Sequence, residues 1–487
     1  GSVLLKRGLS LLFAAALILG ALSFTACKKN DAERCEYDIY ATYDEASRSL
    51  SGEMAFTYYN YTDTEISELK FNLFGNAFRE DSKYRPVSSG YTAKAYYDGA
   101  SYGNMKVNDV RGDVSEWDIA GLDENILTVT LSESVFPDEQ CSLEIVYTLE
   151  LAKVNHRTGV TEHAVNLSNF YPQLCAYDNG FYECEYYAAG DPFYSECADY
   201  SVKLVADSDY VVASSGKQTG ERALGGNTER SYELQNARDF CFVMSKDFQV
   251  LKKDTGKAEV SYYYYRDEKA EESLNIACES IEYFSQTFGA YPYSTYAAVQ
   301  TGFCYGGMEY PGLSMISDAL DDLNNKYTIV HETAHQWWYS AVGSNQLENA
   351  WMDEGLAEYS TVMFFENYPA YGLERKNLVQ SAYSAYKAFF DVYAQLFGET
   401  DTTMNRKLDQ FGGEYEYVNV TYNKGLILFD NLREALGDKK FTNALKRYYN
   451  EFCYKIAKPE DMVSCFEKVG VDVAGFFASY VEGKAVI

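Results

Sequence analysis

Histidine is scarce in this chain, with four among 487 positions. Basic residues are also short, 42 Lys and Arg against 72 Asp and Glu, a formal net charge of −30. That deficit argues against nucleic acid as a partner, because phosphate binding needs basic patches. It argues equally against electrostatic docking onto anionic lipid. No CxxC pair occurs, which excludes the usual thiolate-built structural zinc site. No internal repeat and no long low-complexity linker interrupts the chain. Ten cysteines besides Cys27 permit disulfides outside the cytoplasm, in a chain long enough to fold without them. Tyrosine is plentiful, 46 residues, which suits sheet surfaces and a peptide- or sugar-contacting cleft without choosing between them.

The N-terminus reads as a targeting segment. Lys6-Arg7 precedes an apolar run that ends in Ser23-Phe-Thr-Ala-Cys27, a pattern for secretion that is too short for a good membrane span. Thr-Ala-Cys27 followed by Lys28-Lys29 resembles a bacterial lipoprotein processing site, with Phe24 where that pattern usually has Leu. The expectation is a signal peptide over 1–26, a lipid on Cys27 and a tether over 27–34. The remaining chain, about 460 residues, is expected to hold at least two domains.

From 35 to 252 the pattern is strand-rich. Leu127-Thr-Val129-Thr-Leu131 alternates, and Cys141 to Leu151 is apolar at nearly every second position, so an antiparallel sandwich with one wet face is predicted. From 253 to 487 the period becomes helical. Leu274, Ala277, Ile281, Phe284 and Phe288 form one stripe, a helix is predicted over 326–342, a second over about 350–367 and a third over 459–467. The fold class is α+β.

Two of the four histidines stand in His331-Glu332-Thr-Ala-His335. At spacing i, i+4 both imidazoles reach one metal ion, and Glu332 between them can take a proton from its water. Such a pentapeptide arises by chance on the order of 0.002 times in a chain of this composition. A third ligand is required, and Glu354, early in the returning helix, supplies it. His₂Glu with one open position is a hydrolytic zinc arrangement rather than a structural one. Glu358, one turn on, reads equally well as a support for the ligands or as a solvated helix glutamate. His156 and His163 fall outside any metal spacing and read as surface or hydrogen-bonded loop residues.

HExxH followed by eighteen residues and Glu354 resembles the gluzincin zinc peptidases, and more narrowly the M1 aminopeptidase family. Gly306-Gly307-Met308-Glu309-Tyr310 resembles that family's Gly-x-Met-Glu-Asn motif. Trp351-Met-Asp-Glu354-Gly-Leu-Ala resembles its Trp-Leu-Asn-Glu-Gly-Phe-Ala segment, and Tyr422-Asn-Lys-Gly425 its Tyr-x-Lys-Gly. Gly190 to Tyr200, with Val211 to Gly216, resembles the end of its N-terminal β domain. The resemblance implies a β-sandwich followed by a thermolysin-like catalytic domain. It also implies one zinc ion per chain, Glu332 as general base, Tyr422 as oxyanion donor and Glu309 as reader of the substrate α-amine beside Gly306, Gly307 and Met308. Tyr310 replaces the motif's Asn, and no Thr-Gln segment is found to add a second amine contact, Gln173 being a weak stand-in. Both departures imply looser amine recognition, and the absence of sequence for a large C-terminal helical domain implies a more open cleft.

The function expected is a zinc aminopeptidase that trims peptides, lipid-anchored at a bacterial cell surface or periplasmic face. The alternatives are a zinc endopeptidase with relaxed amine recognition and an inactive peptide-binding lipoprotein.

Overall fold

Alternating burial builds the first half: in Glu36–Asp44 and Gln140–Glu150 every second side chain is buried and its neighbours face outward, as a sheet with one wet face requires. The computed structural model describes residues 33–469, 472–485 and 487. Cys27 and the expected signal segment lie outside the described residues.

In chain order the strands of this half are β1 (Glu36–Asp44), β2 (Ser49–Tyr59), β3 (Ile66–Asn72), β4 (Asn104–Gly112), β5 (Val114–Ala120), β6 (Ile126–Val135), β7 (Gln140–Glu150), β8 (Thr158–Val160), β9 (Val165–Ser168), β10 (Gln173–Leu174), β11 (Ala198–Asp207), β12 (Val211–Ser214), β13 (Lys217–Leu224), β14 (Asn227–Ala237) and β15 (Cys241–Ser245). They form a seven-stranded sheet, β13-β14-β11-β1-β2-β7-β4, and two four-stranded sheets, β10-β3-β6-β5 and β12-β15-β9-β8. The pairing is antiparallel except that β1 runs parallel to β11, a departure from the all-antiparallel expectation. Phe56 of β2 meets Phe71 of β3 edge-on at 5.2 Å, and Tyr37 stacks on Tyr200 at 4.7 Å. Burial of each such ring contributes roughly 1.5–3 kcal/mol. Cys175, Cys184 and Cys197 are buried thiols rather than disulfide partners.

The expected boundary near Lys252 falls inside β16 (Gln249–Asp254), which opens a fourth sheet with β17 (Glu259–Tyr264), β18 (Thr295–Thr301), β19 (Gly307–Tyr310) and β20 (Leu313–Ser317). Its order is β16-β17-β18-β20-β19, so β19 is an edge strand, antiparallel to β20. The helices are α1 (Ala270–Thr287), α2 (Asp322–Ala334), α3 (Trp351–Asn367), α4 (Arg375–Phe397), α5 (Lys424–Leu436), α6 (Asp438–Phe452), α7 (Pro459–Glu467) and α8 (Ala474–Val481). Residues from Arg34 onward form one unit, so the strand-rich and helix-rich halves share packing across the boundary. No helix among the described residues is long and apolar enough to cross a membrane.

Helix α2 differs from its predicted span. Asp321 caps it by accepting from the Asn324 N–H at 2.8 Å, so it starts four residues early. Its regular part ends at Ala334, followed by a turn over Gln336–Ala341 with non-helical backbone at Trp338 and Tyr339. The turn is held from the β half. Fully buried Arg238 donates to the carbonyls of Tyr339 at 2.7 Å and Ala341 at 3.1 Å, and also to that of Lys455. A helix ending at Val342 would leave these carbonyls without a donor of its own, and Arg238 satisfies them in the unwound chain.

Candidate active site

The unwinding sets the first metal ligand. With the helix ended, the Trp338 carbonyl turns back and lies 2.9 Å from His335 Nδ1. That contact puts the proton on Nδ1 and aims the Nε2 lone pair inward. His331 is oriented from α3: its Nδ1 lies 2.8 Å from Glu358 Oε1, while Tyr327 Oη donates to Glu358 Oε2 at 2.8 Å. Glu358 is therefore a support for His331, not a solvated helix glutamate.

The two Nε2 atoms stand 3.2 Å apart, and Glu354 approaches them with Oε2 3.2 Å from His331 and Oε1 3.3 Å from His335. All three residues are buried. Zinc bonds of about 2.0–2.2 Å in a tetrahedron place donors roughly 3.3–3.6 Å apart, so this donor set fits zinc. Burial opposes a charge on Glu354, yet His335 and His331 hold its carboxyl well below the ordinary range. Three converging lone-pair donors in a dry site need a cation between them. A second group of possible ligands, Glu309, His335, Asp353 and Glu354, borrows two members of the first. Asp353 within it is already bound by Gln346 at 2.6 Å.

Glu332 lies on the same helix face. Its Oε2 is buried without a hydrogen-bond partner, and burial lifts its carboxyl to about 7 against the pull of His331 and His335. Strand β19 passes directly over it. A Cβ on Gly307 would stand 2.8 Å from Glu332 Cγ and 2.8 Å from Thr328 Cγ2, so only glycine lets the edge strand come this close. Along β19 the side chains alternate. Gly307 and Glu309 line the cleft, whereas Met308 and Tyr310 are buried behind it. Tyr310 therefore does not touch the site that its motif neighbour faces, which removes the reason to expect looser amine recognition from it. Glu309 is 2 % exposed, accepts from Gln346 Nε2 at 3.2 Å and puts Oε2 3.8 Å from His335 Nε2. Burial, then Asp191 and Glu354, push its pKa well above the ordinary range, so a cation beside it would be strongly favoured.

Tyr422 enters from the turn before α5, its ring stacked on His331 at 5.9 Å. The approach rests on two glycines: a Cβ on Gly425 would meet Gly355 Cα at 2.8 Å. Helix α5 thus touches α3 backbone to backbone, beside Glu354 on one helix and Tyr422 on the other.

Residues 272–480 match the family model described as Peptidase family M1 domain. This stretch is therefore similar to an M1 peptidase domain. Endoplasmic reticulum aminopeptidase 2 of Homo sapiens is 25 % identical over 298 residues, 55 % of this chain and 29 % of that protein. Aminopeptidase 2 of Candida albicans is 23 % identical over 311 residues, 58 % of this chain and 32 % of its own length. The chain spans about a third of the length of these curated relatives. Among solved structures, the M1 zinc metallopeptidase from Deinococcus radiodurans superposes with a TM-score of 0.66 at 16 % identity, covering 94 % of this chain and 96 % of that one. That likeness shows a shared two-layered architecture, β-rich then helical.

The M1 site opens into a cleft of about 630 Å³, within the range of ligand pockets. Three carboxylates unforeseen as site residues, Asp191, Asp318 and Glu414, line it with Glu309, Glu332, Glu354 and Glu358. Asp191 is fixed by buried Arg157, whose Nη2 lies 2.5 Å from Asp191 Oδ1 and whose Nε lies 3.2 Å from Met308 Sδ. The signal for Asp191 was its place in the Gly190–Tyr200 segment; Arg157 had none beyond its charge. Gln173, by contrast, is turned away from the cleft, donating to the Arg238 carbonyl and accepting from Asn169. His156 is fully buried rather than on the surface, its Nε2 2.9 Å from the Pro86 carbonyl. His163 lies 3.2 Å from Asp247 and stacks on Tyr265.

Proposed function

We propose that the protein is a zinc-dependent aminopeptidase releasing N-terminal residues from peptides. The observation that carries the reading is the meeting, within one buried cleft, of three converging ligand atoms, an unpartnered base and a carboxylate that requires a cation. His331, His335 and Glu354 would hold the zinc ion, which would polarise the scissile carbonyl and acidify a water. Glu332 Oε2 accepts the proton as water attacks the carbonyl carbon, then passes it to the nitrogen as the C–N bond breaks. A base with a pKa near neutrality is suited to both transfers. The Tyr422 hydroxyl donates to the carbonyl oxygen as it gains charge. Glu309 holds the α-ammonium by a charge-assisted hydrogen bond, with Asp191 adding to the negative field, and Gly306 and Gly307 present open backbone to the peptide.

Glu332→Gln keeps the shape and removes the base. It should lower kcat about 10²- to 10⁴-fold while zinc content by atomic absorption stays at one per chain. Comparable hydrolysis of N-acetylated and free peptides by the wild type would replace the exopeptidase reading with an endopeptidase. Peptide binding without turnover at saturating zinc would leave only a binding protein. The N-terminal pattern adds a lipid on Cys27 that anchors the enzyme at a bacterial surface or periplasmic face. Metabolic labelling with an alkyne fatty acid, abolished by Cys27→Ser, checks it.

A further inference from the structure

The charges of the cleft are lopsided. Seven carboxylates line it against two cations, Arg157 and Lys94. Arg157 is committed: buried, bound to Asp191 and to the Tyr186 hydroxyl at 3.0 Å. Lys94 is exposed and has no carboxylate partner among the described residues, its ammonium resting 5.8 Å from the centre of the Tyr91 ring. A lone cation in an anionic cleft is where a ligand's negative end is stabilised, since every other part of the wall repels it.

Lys94 is held at a defined place. It sits on the helical turn Thr92–Ala95, whose Lys94 carbonyl accepts from Asn155 Nδ2 at 2.9 Å. The Tyr91 ring packs on Tyr305 at 4.9 Å, and the Tyr305 hydroxyl donates to the Ala188 carbonyl at 3.0 Å. Tyr305 in turn precedes Glu309 by four residues on the approach to the edge strand. Extended backbone spans at most about 3.3–3.6 Å per residue, so Tyr305 lies no more than about 14 Å from Glu309. A peptide running along the strand with its α-ammonium at Glu309 reaches the level of Tyr305 within about four residues, and Lys94 stands beyond it across the Tyr91 ring.

We infer that Lys94 receives the C-terminal carboxylate of the substrate, making the protein selective for short peptides with an unblocked C-terminus. The inference rests on the aminopeptidase reading for the placement of the amine. It adds a second reading head at the other end of the peptide, on the β half of the chain. Cleavage in this cleft therefore measures a peptide between two charges of opposite sign. Peptides that end short of Lys94, peptides that run well past it and C-terminally blocked peptides all lose its contribution.

The test compares alanine peptides of three to six residues as free acids and as C-terminal amides. Calorimetric binding to full-length zinc-loaded Glu332→Gln protein should favour the acid by about three- to tenfold at the length that reaches Lys94, the range for a partly exposed charge-assisted contact. Adding Lys94→Ala should bring the ratio to about one, Lys94→Glu should favour the amide, and Lys94→Arg should keep the preference. In turnover by the Glu332-containing enzyme, the acid-to-amide ratio of kcat/KM should peak at one length between three and six alanines and vanish at ten. Equal binding of acid and amide to the parent, or a ratio that Lys94→Ala leaves unchanged, overturns the inference. Failure of the wild type to cleave either peptide would count against the aminopeptidase reading, and the binding ratio would still decide the role of Lys94.

Discussion

Glu358 offers the sharpest test of how the site is built, because it acts on the proposed zinc only through His331. Its carboxylate lies between His331 Nδ1 and the Tyr327 hydroxyl, 2.8 Å from each. The side chains of Glu358 and His331 are 14 % and 8 % exposed, so water does little to replace what is removed. Glu358→Ala leaves the His331 ring free to turn and strips it of the charge that makes Nε2 a stronger donor. Loss of such a partner typically weakens metal binding 10- to 100-fold, about 1.4–2.7 kcal/mol. Glu358→Gln keeps an acceptor for Nδ1–H but not the charge, and should fall between Ala and the wild type. Competition against a chromophoric zinc chelator gives the affinities directly. Unfolding at fixed excess zinc gives them again, because stabilisation by a ligand drops by the same free energy. Zinc affinity of Glu358→Ala within twofold of the wild type would refute the reasoning and return Glu358 to the status of an ordinary helix glutamate.

Gly307→Ala forces a methyl against Glu332 and Thr328 and should cut kcat roughly 100-fold, the scale of a 1 Å displacement of a reacting group; zinc affinity, set by other residues, should hold. Arg157→Met leaves the Asp191 charge without its buried partner and should cost about 3–5 kcal/mol in denaturant unfolding. Asp239 supplies a pH test away from the metal. Burial raises its carboxyl to about 7, against the Tyr339 hydrogen bond and the Arg238 charge. The folded state then binds more protons than the unfolded one, so stability falls as pH rises from about 4 to about 7, by up to about 4 kcal/mol. Asp239→Asn should flatten that decline, and an unchanged slope in denaturant midpoints would contradict the assignment.

The parts of the site legible in sequence were those that local geometry dictates. His331, Glu332 and His335 share a helix face whatever surrounds them, and Glu354 follows because the chain must return past the metal. The end of α2 was not legible, because the turn beyond it is held by Arg238, about a hundred residues earlier in the link between β14 and β15. A helix predicted to run to Val342 is what the local pattern supports; tertiary contacts hold the chain in a turn instead. The two readings of Glu358 could not be separated for a similar reason, since Tyr327 and His331 reach it only once α2 and α3 have packed. Arg157 and Asp191 come from the β half and enter the cleft through tertiary contacts that no period announces. Tyr310 shows the opposite error. It stood in the functional motif and seemed to matter for the amine, but the period of two along β19 turns it into the core.

Gly355 and Gly425 show how a motif's bystanders can be its mechanics. Each stands beside a residue with chemistry to do, Gly355 after Glu354 and Gly425 three positions past Tyr422. In sequence they served only to mark those neighbours. In the fold they touch, and a Cβ on Gly425 would lie 2.8 Å from Gly355 Cα. The spacing of α3 and α5 is therefore set by backbone contact rather than by side chains, which repack more easily. Glu354 is rigidly fixed on one helix and Tyr422 on the turn entering the other. The distance between the ligand and the hydroxyl donor is thus built into the glycines, and Gly425→Ala should move Tyr422 without altering a single group that does chemistry. Its signature would be a fall in kcat/KM with zinc affinity retained.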